Sequence, residues 1–241
     1  MAGAGILAGI TSTVAGLASL VSYPALLAVG LEPRTANTTN TAALLFVALG
    51  AAAGSRPELA GQGGRVARFG LATLCGGATG AVLLLTTPAR AFELVVPWLI
   101  AGAAVLLLLS PRIVAARGAA PRRGPALPLS VFGVAVYTGY FGAGAGVALL
   151  AIMAVMIPEP LARVNAVKNV ASGFSNAVAA LLFTALGFVA WEAAAPLAAG
   201  LLAGGALGPR IVRVLPAGLM RWIVAAAALG LAASLAVDAY R

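Results

Sequence analysis

Apolar stretches of roughly 18 to 22 residues follow one another along the whole chain, parted by short turns that carry arginine. The hydrocarbon core of a bilayer is about 30 Å thick and takes ~20 residues of helix to cross, so this pattern is built for a membrane. Lipid leaves no water to satisfy backbone N–H and C=O groups, which restricts spanning structures to helices and closed barrels. A barrel needs alternating apolar and polar positions, and runs such as Leu83–Leu85 and Val105–Leu109 exclude it. Of the 241 residues 62% are hydrophobic and 9% charged, with a mean hydropathy of +1.05, against about 25% charge in a soluble domain. The expected fold class is an all-α polytopic membrane protein.

The net charge of +9 would suggest nucleic acid in a soluble protein. Here the arginines lie in turns between apolar stretches, where they orient a chain in the bilayer, and no nucleic-acid partner is expected. The single cysteine, Cys75, forms no internal disulfide, and the chain has no histidine and six carboxylates. No metal, haem or other cofactor is expected from that inventory, and no nucleophile–base–acid set for an enzyme can be assembled. Residues 1–22 lack the basic start of a secretory signal and should remain in the mature protein.

The order of features repeats. Residues 3–30 are apolar, weakened by Thr11-Ser12-Thr13 and closed by Tyr23-Pro24; a turn at Glu32-Pro33-Arg34 leads into a span with a polar opening, Asn37 to Thr41. A Gly-rich basic loop (56–68) and two plain apolar spans (69–86, 92–109) complete the first half. After an Arg- and Pro-rich linker, a glycine-broken stretch (127–157), a turn at Pro158-Glu159-Pro160, a polar-started span (164–186) and two further spans (193–208, 219–237) follow. Gly9 and Gly16 align with Gly139 and Gly146, and Asn40 with Asn169 one residue out of register. We expect a first transmembrane repeat at 1–110, a basic cytoplasmic linker at 111–126 and a second repeat at 127–241. Internal repeats of this size are the trace of a secondary transporter.

If all eight apolar stretches cross, the 15 positive residues divide almost evenly between the two sides, contrary to the usual bias. If the first stretch of each half is instead a re-entrant or broken helical hairpin, its arms are too short to cross. Arg34, Arg90 and Arg241 then lie outside and the other twelve inside. Each half becomes a hairpin plus three transmembrane helices, and because three is odd the two repeats are inverted.

Glycines at 142, 144 and 146 interrupt an apolar segment where a helix is hard to sustain. A hairpin's second arm would begin near Gly142–Gly144 and, in the first half, near Ser12-Thr13, presenting a helix N-terminus that favours an anion. Inversion would bring the two tips together near the midplane. The same glycines also serve close helix packing. Lys168, the one lysine, sits with Asn165, Asn169 and Ser172 at spacings of three and four, one helix face. A lone ammonium supplies a point charge and three donors to an anion; the alternative is a residue snorkelling to the membrane edge. Asn37, Thr38, Thr39, Asn40 and Thr41 give the first half neutral donors without a cation. Gly142–Gly146 is not a dinucleotide loop, since no strand or βαβ unit surrounds it. The candidate binding residues are therefore Lys168, Asn169, Asn165, Ser172, Asn40, Thr39, Gly142, Gly144, Ser12 and Thr13.

Tyr140-Phe141-Gly142-Ala143-Gly144-Ala145-Gly146, Asn165-Ala166-Val167-Lys168-Asn169, Phe183 with Gly187 to Trp191, and the Arg210–Arg221 turn resemble the second half of the TauE/SafE sulfite exporter family. Thr38-Thr39-Asn40-Thr41-Ala42 is similar to that family's first-half signature, whereas Thr11-Ser12-Thr13 departs from its more glycine-rich pattern. The resemblance implies a permease of small sulfur-containing anions, sulfite or organosulfonates, in the bacterial inner membrane. Its partners would be a small anionic solute and the lipid bilayer, with homo-oligomerisation left open. A passive anion channel and a non-transporting membrane assembly subunit are the alternatives.

Overall fold

The computed structural model describes residues 1–115, 126–211 and 217–240. Among them are eleven helices and no strand. The first half holds α1 (Ala2–Ala15), α2 (Ala18–Ala28), α3 (Pro33–Gly54), the short α4 (Arg56–Leu59), α5 (Gly63–Thr86) and α6 (Ala89–Ala115). The second holds α7 (Ala126–Tyr140), α8 (Ala145–Met156), α9 (Leu161–Ala185), α10 (Trp191–Ile211) and α11 (Ala217–Tyr240). Most of the expected 111–126 linker lies outside the described residues; its first residues, Arg112 included, continue α6. The loop expected at 56–68 is partly helical, holding α4 and the start of α5, and part of the basic turn at Arg213 is not described.

Helix length separates two kinds of element. α1, α2, α7 and α8 have 14, 11, 15 and 12 residues, so at ~1.5 Å per residue each reaches only about half to three quarters of the hydrocarbon thickness. α5, the apolar part of α6 (Ala89–Leu109) and α9 are long and apolar enough to cross. α3 has the length, 22 residues, but its first turns carry the run from Asn37 to Thr41, all buried. A buried polar run is tolerated in a membrane protein when it faces the bundle interior, and these residues face other helices.

Packing runs between the halves. α1 lies on α10, and α7 on α5; α3 also packs on α10, α9 on α5, α3 on α9, and α6 on α11. Exchanging each first-half helix for its counterpart leaves this set of contacts unchanged. Small residues permit the approach: a Cβ on Gly9 would lie 2.7 Å from Gly205 N, and one on Gly76 would lie 2.6 Å from Ala135 Cβ. α3 and α9 run antiparallel. The start of α3 meets the segment after α9, where Thr38 donates to Phe188 O and Ala190 N–H donates to Thr39 Oγ1. The start of α9 meets the segment after α3, where Arg163 donates to Glu58 O and Ala60 O.

Three arginines serve opposite ends of the bundle. Arg34 donates to Leu84 O and Leu85 O at the C-terminus of α5, where carbonyls lack helical partners and attract positive charge, and its guanidinium stacks 5.1 Å from the Phe188 ring centroid. Arg163 and Arg65 both bind Glu159, each at 2.9 Å, tying the α8–α9 turn to the start of α5. Hydrogen bonds from Arg65 and then Arg163 hold the Glu159 carboxyl below its ordinary value. A depressed carboxylate contributes stability above its unfolded pKa and loses it as pH falls through the folded value. Glu159→Gln should therefore lower the unfolding temperature at neutral pH, and the gap to the parent should close as the solution is acidified below the ordinary glutamate range. A gap independent of pH would exclude this linkage.

Candidate functional site

The two hairpins break differently. In the second half Gly142 and Gly144 adopt φ of 78° and 70°, a left-handed conformation that glycine reaches without a Cβ penalty. α7 ends at Tyr140, Gly144 is the N-cap of α8, and Tyr137 Oη donates to Ala143 O at 2.7 Å across the tip. Phe141 packs edge-on against Tyr23 and Phe92, at 5.4 and 6.1 Å between centroids, which buries the tip in the core. In the first half the break lies at Gly16 (φ 71°), and α2 begins at Ala18. This corrects the expected start near Ser12-Thr13. The hydroxyls of Thr11 and Thr13 bond back to carbonyls three and four residues earlier, a pattern compatible with continuing helix, so α1 runs through them.

The tips meet. A Cβ on Gly16 would fall 2.6 Å from Gly146 Cα, and one on Gly146 would fall 2.6 Å from Gly16 Cα. Each tip is also held by an asparagine from the other half: Asn165 Nδ2 donates to Thr13 O at 2.7 Å, and Asn37 Nδ2 donates to Tyr140 O at 2.8 Å. Both bonds fall on carbonyls at the C-terminal end of a first arm, groups with no partner inside their own helix.

Beside the junction is a small cavity of about 50 Å³, room for about three or four waters or one small oxyanion. One wall is α9, which contributes Lys168, Asn169, Ser172 and Asn176; the opposite wall is α3, with Leu44, Val47, Ala48 and Ala51. The tips close it with Gly16, Ala18 and Ser19 on one side and Gly142, Ala145 and Gly146 on the other, joined by Ser12 and Thr138. The first turns of α2 and α8 both face it, and neither helix has a side-chain cap; backbone carbonyls take the N–H groups of Ala145, Val147, Ala148 and Leu20, which leaves those of Gly146, Ala18 and Ser19 for an acceptor. Lys168 is 2% exposed and has no ion-pair or hydrogen-bonding partner among the described residues. No carboxylate lines the cavity among those residues. An ammonium buried without a counter-ion is costly, and the arrangement suits an anion that supplies the missing charge.

Five candidates thus share this cavity: Lys168, Asn169, Ser172, Gly142 and Ser12. The other five do not line it. Asn165 pins α1, Thr39 accepts from Ala190 N–H, and Thr13 is turned against Gly208 of α10. Gly144 faces Ala103 of α6, and Asn40 lies behind the wall, bonded to Ser19 and Ser22. Among the lining residues outside the candidate set, Gly16 carried a signal in its alignment with Gly146. Asn176 extends the Lys168 face by further turns. Ser19 and Thr138 carried none.

A second, wider groove of about 550 Å³ lies at the α8–α9 turn and the start of α5, with Arg65, Arg68 and Arg163 around Glu159.

The family model described as "Sulfite exporter TauE/SafE" matches residues 1–235. The chain belongs to the TauE/SafE family. Its relatives include the probable membrane transporter protein YfcA of Escherichia coli K12, 26% identical over 219 residues that cover 86% of this chain and 77% of the relative. A probable membrane transporter protein of Haemophilus influenzae is also 26% identical, over 214 residues covering 86% and 82%. No solved structure matches. With its apolar helices, this TauE/SafE member is a membrane transporter.

Proposed function

We propose that this transporter carries a small sulfur-containing anion, sulfite or an organosulfonate, outward across the bacterial inner membrane by alternating access. One observation carries the reading: Lys168, buried and without a partner among the described residues, faces a cavity walled by the N-termini of two half-length helices that lack side-chain caps. Broken helices aimed at a midplane site are how many secondary transporters hold an anion. The antiparallel course of the counterpart helices α3 and α9, and the exchange of packing partners between halves, support two inverted repeats, each a re-entrant hairpin with three crossings. The linker is then cytoplasmic, with Arg34 outside.

The cavity offers no carboxylate or histidine as a proton relay among the described residues, which leaves the substrate itself or Lys168 to carry any coupled proton. An inside-negative potential contributes about 2.3 kcal/mol per charge per 100 mV to an anion leaving the cell, enough to drive export. In proteoliposomes the protein should show saturable sulfite counterflow, accelerated by unlabelled sulfite on the far side. Sulfite flux no faster than in protein-free vesicles would defeat the substrate assignment, and unsaturable flux without counterflow would indicate a channel.

A further inference from the structure

Behind the cavity wall, three polar side chains of the first half form a chain with a direction. Ser22 Oγ lies 2.8 Å from Ala18 O and 2.5 Å from Asn40 Oδ1. The shorter separation is in the range of an O–H···O bond rather than an N–H···O bond, so the carbonyl side of the Asn40 amide faces Ser22. The amide nitrogen is then turned to Ser19, and Asn40 Nδ2 donates to Ser19 Oγ at 3.3 Å. All three residues are buried, Ser22 and Asn40 almost completely. Ser19 therefore receives a hydrogen bond from behind and keeps its own proton, for which no acceptor exists among the described residues. The remaining open direction is the cavity, which Ser19 lines in the first turn of α2.

We propose that Ser19 is a ligand-contacting donor supplied by the first half, opposite Lys168 of the second, and that Asn40 is the positioning residue that turns its hydroxyl toward the anion. The proposal rests on the cavity being the anion site. Asn40 takes one lone pair of the Ser19 oxygen, while the Ser19 proton has no acceptor among the described residues, so the group that best matches it across the cavity is an acceptor. That favours fully ionised oxygens over protonated or amide groups. It also gives Asn40 a role although it touches no ligand: an amide with its oxygen held by Ser22 has only donors left to offer Ser19.

The test measures methanesulfonate affinity of the full chain in lipid nanodiscs, alongside the unfolding temperature of each variant. Ser19→Ala should weaken binding about tenfold, as expected for one hydrogen bond to a charged group, with little change in unfolding temperature, and Ser19→Thr should restore most of it. Asn40→Leu should weaken binding in the parent but add almost nothing in the Ser19→Ala background, since coupled residues are non-additive; a merely structural Asn40 would lower affinity equally in both. Lys168→Met serves as the separate check on the site. If Lys168→Met abolishes binding while Ser19→Ala binds like the parent, the role of Ser19 is overturned and the anion site stands. If Ser19→Ala weakens binding while Lys168→Met does not, Ser19 keeps its role and Lys168 loses its own.

Discussion

Replacing Lys168 by methionine should cost the protein its anion and make it more stable at once. Methionine nearly matches the lysine stem in length and flexibility, so the helix face and the cavity wall are preserved. Lys168 is 2% exposed, and its ammonium has no ion-pair or hydrogen-bonding partner among the described residues. Its desolvation is uncompensated while the cavity holds no anion, and removing it should raise stability by about 2 kcal/mol. The same change removes a charge-assisted hydrogen bond to the anion worth about 3 kcal/mol, or about a hundredfold in affinity. Thermal unfolding with and without sulfite checks both at once. The parent should unfold at a lower temperature than Lys168→Met when sulfite is absent, and should be the one that sulfite stabilises. A variant that is less stable and still sulfite-responsive would make Lys168 a packing residue rather than a binding one.

The second large effect concerns the junction of the tips. Gly16→Ala places a Cβ on a residue with φ of 71°, a strain of about 1–2 kcal/mol for an L-residue. It also drives that Cβ to 2.6 Å from the Gly146 backbone. Backbone cannot swing aside as a side-chain end can, so one hairpin must be displaced from the other, and the total cost should reach about 3–4 kcal/mol. Gly30→Ala is the internal control: its φ is 88°, but nothing lies within 4 Å of the added carbon, so it bears the strain alone. In contrast to Lys168→Met, Gly16→Ala should lose stability and sulfite response together. Equal unfolding temperatures for Gly16→Ala and Gly30→Ala would mean that the tips are free to separate.

What could be read from the residues follows from how loudly each feature speaks. The second hairpin's break was legible because three glycines cluster inside an apolar run, and the structure places left-handed backbone at two of them, Gly142 and Gly144. The first break was misplaced because Thr11-Ser12-Thr13 is the conspicuous interruption, yet their hydroxyls fold back onto their own helix and a solitary Gly16 ends it. Lys168, as the one lysine, drew attention to its helix face, and Asn169 and Ser172 accompany it into the cavity. Asn165, one turn earlier on that face, instead reaches α1. Spacing assigns residues to a face, but not to the neighbour that each turn of the face meets. Ser19 was silent for a simpler reason. A serine in an apolar segment looks like any small packing residue until a partner such as Asn40, 21 positions away, is seen behind it.

The central claim is that a sulfur oxyanion rests where the tips of the two hairpins meet beside Lys168. The most direct measurement is anomalous diffraction from crystals of the protein grown with selenite, a heavier relative of sulfite with the same shape and a strong selenium signal. The account predicts an anomalous peak within hydrogen-bonding distance of Lys168 Nζ, between Ser19 on one tip and Gly146 on the other. Selenium found only in the Arg65–Arg68–Arg163 groove, with the tip cavity empty, would contradict it.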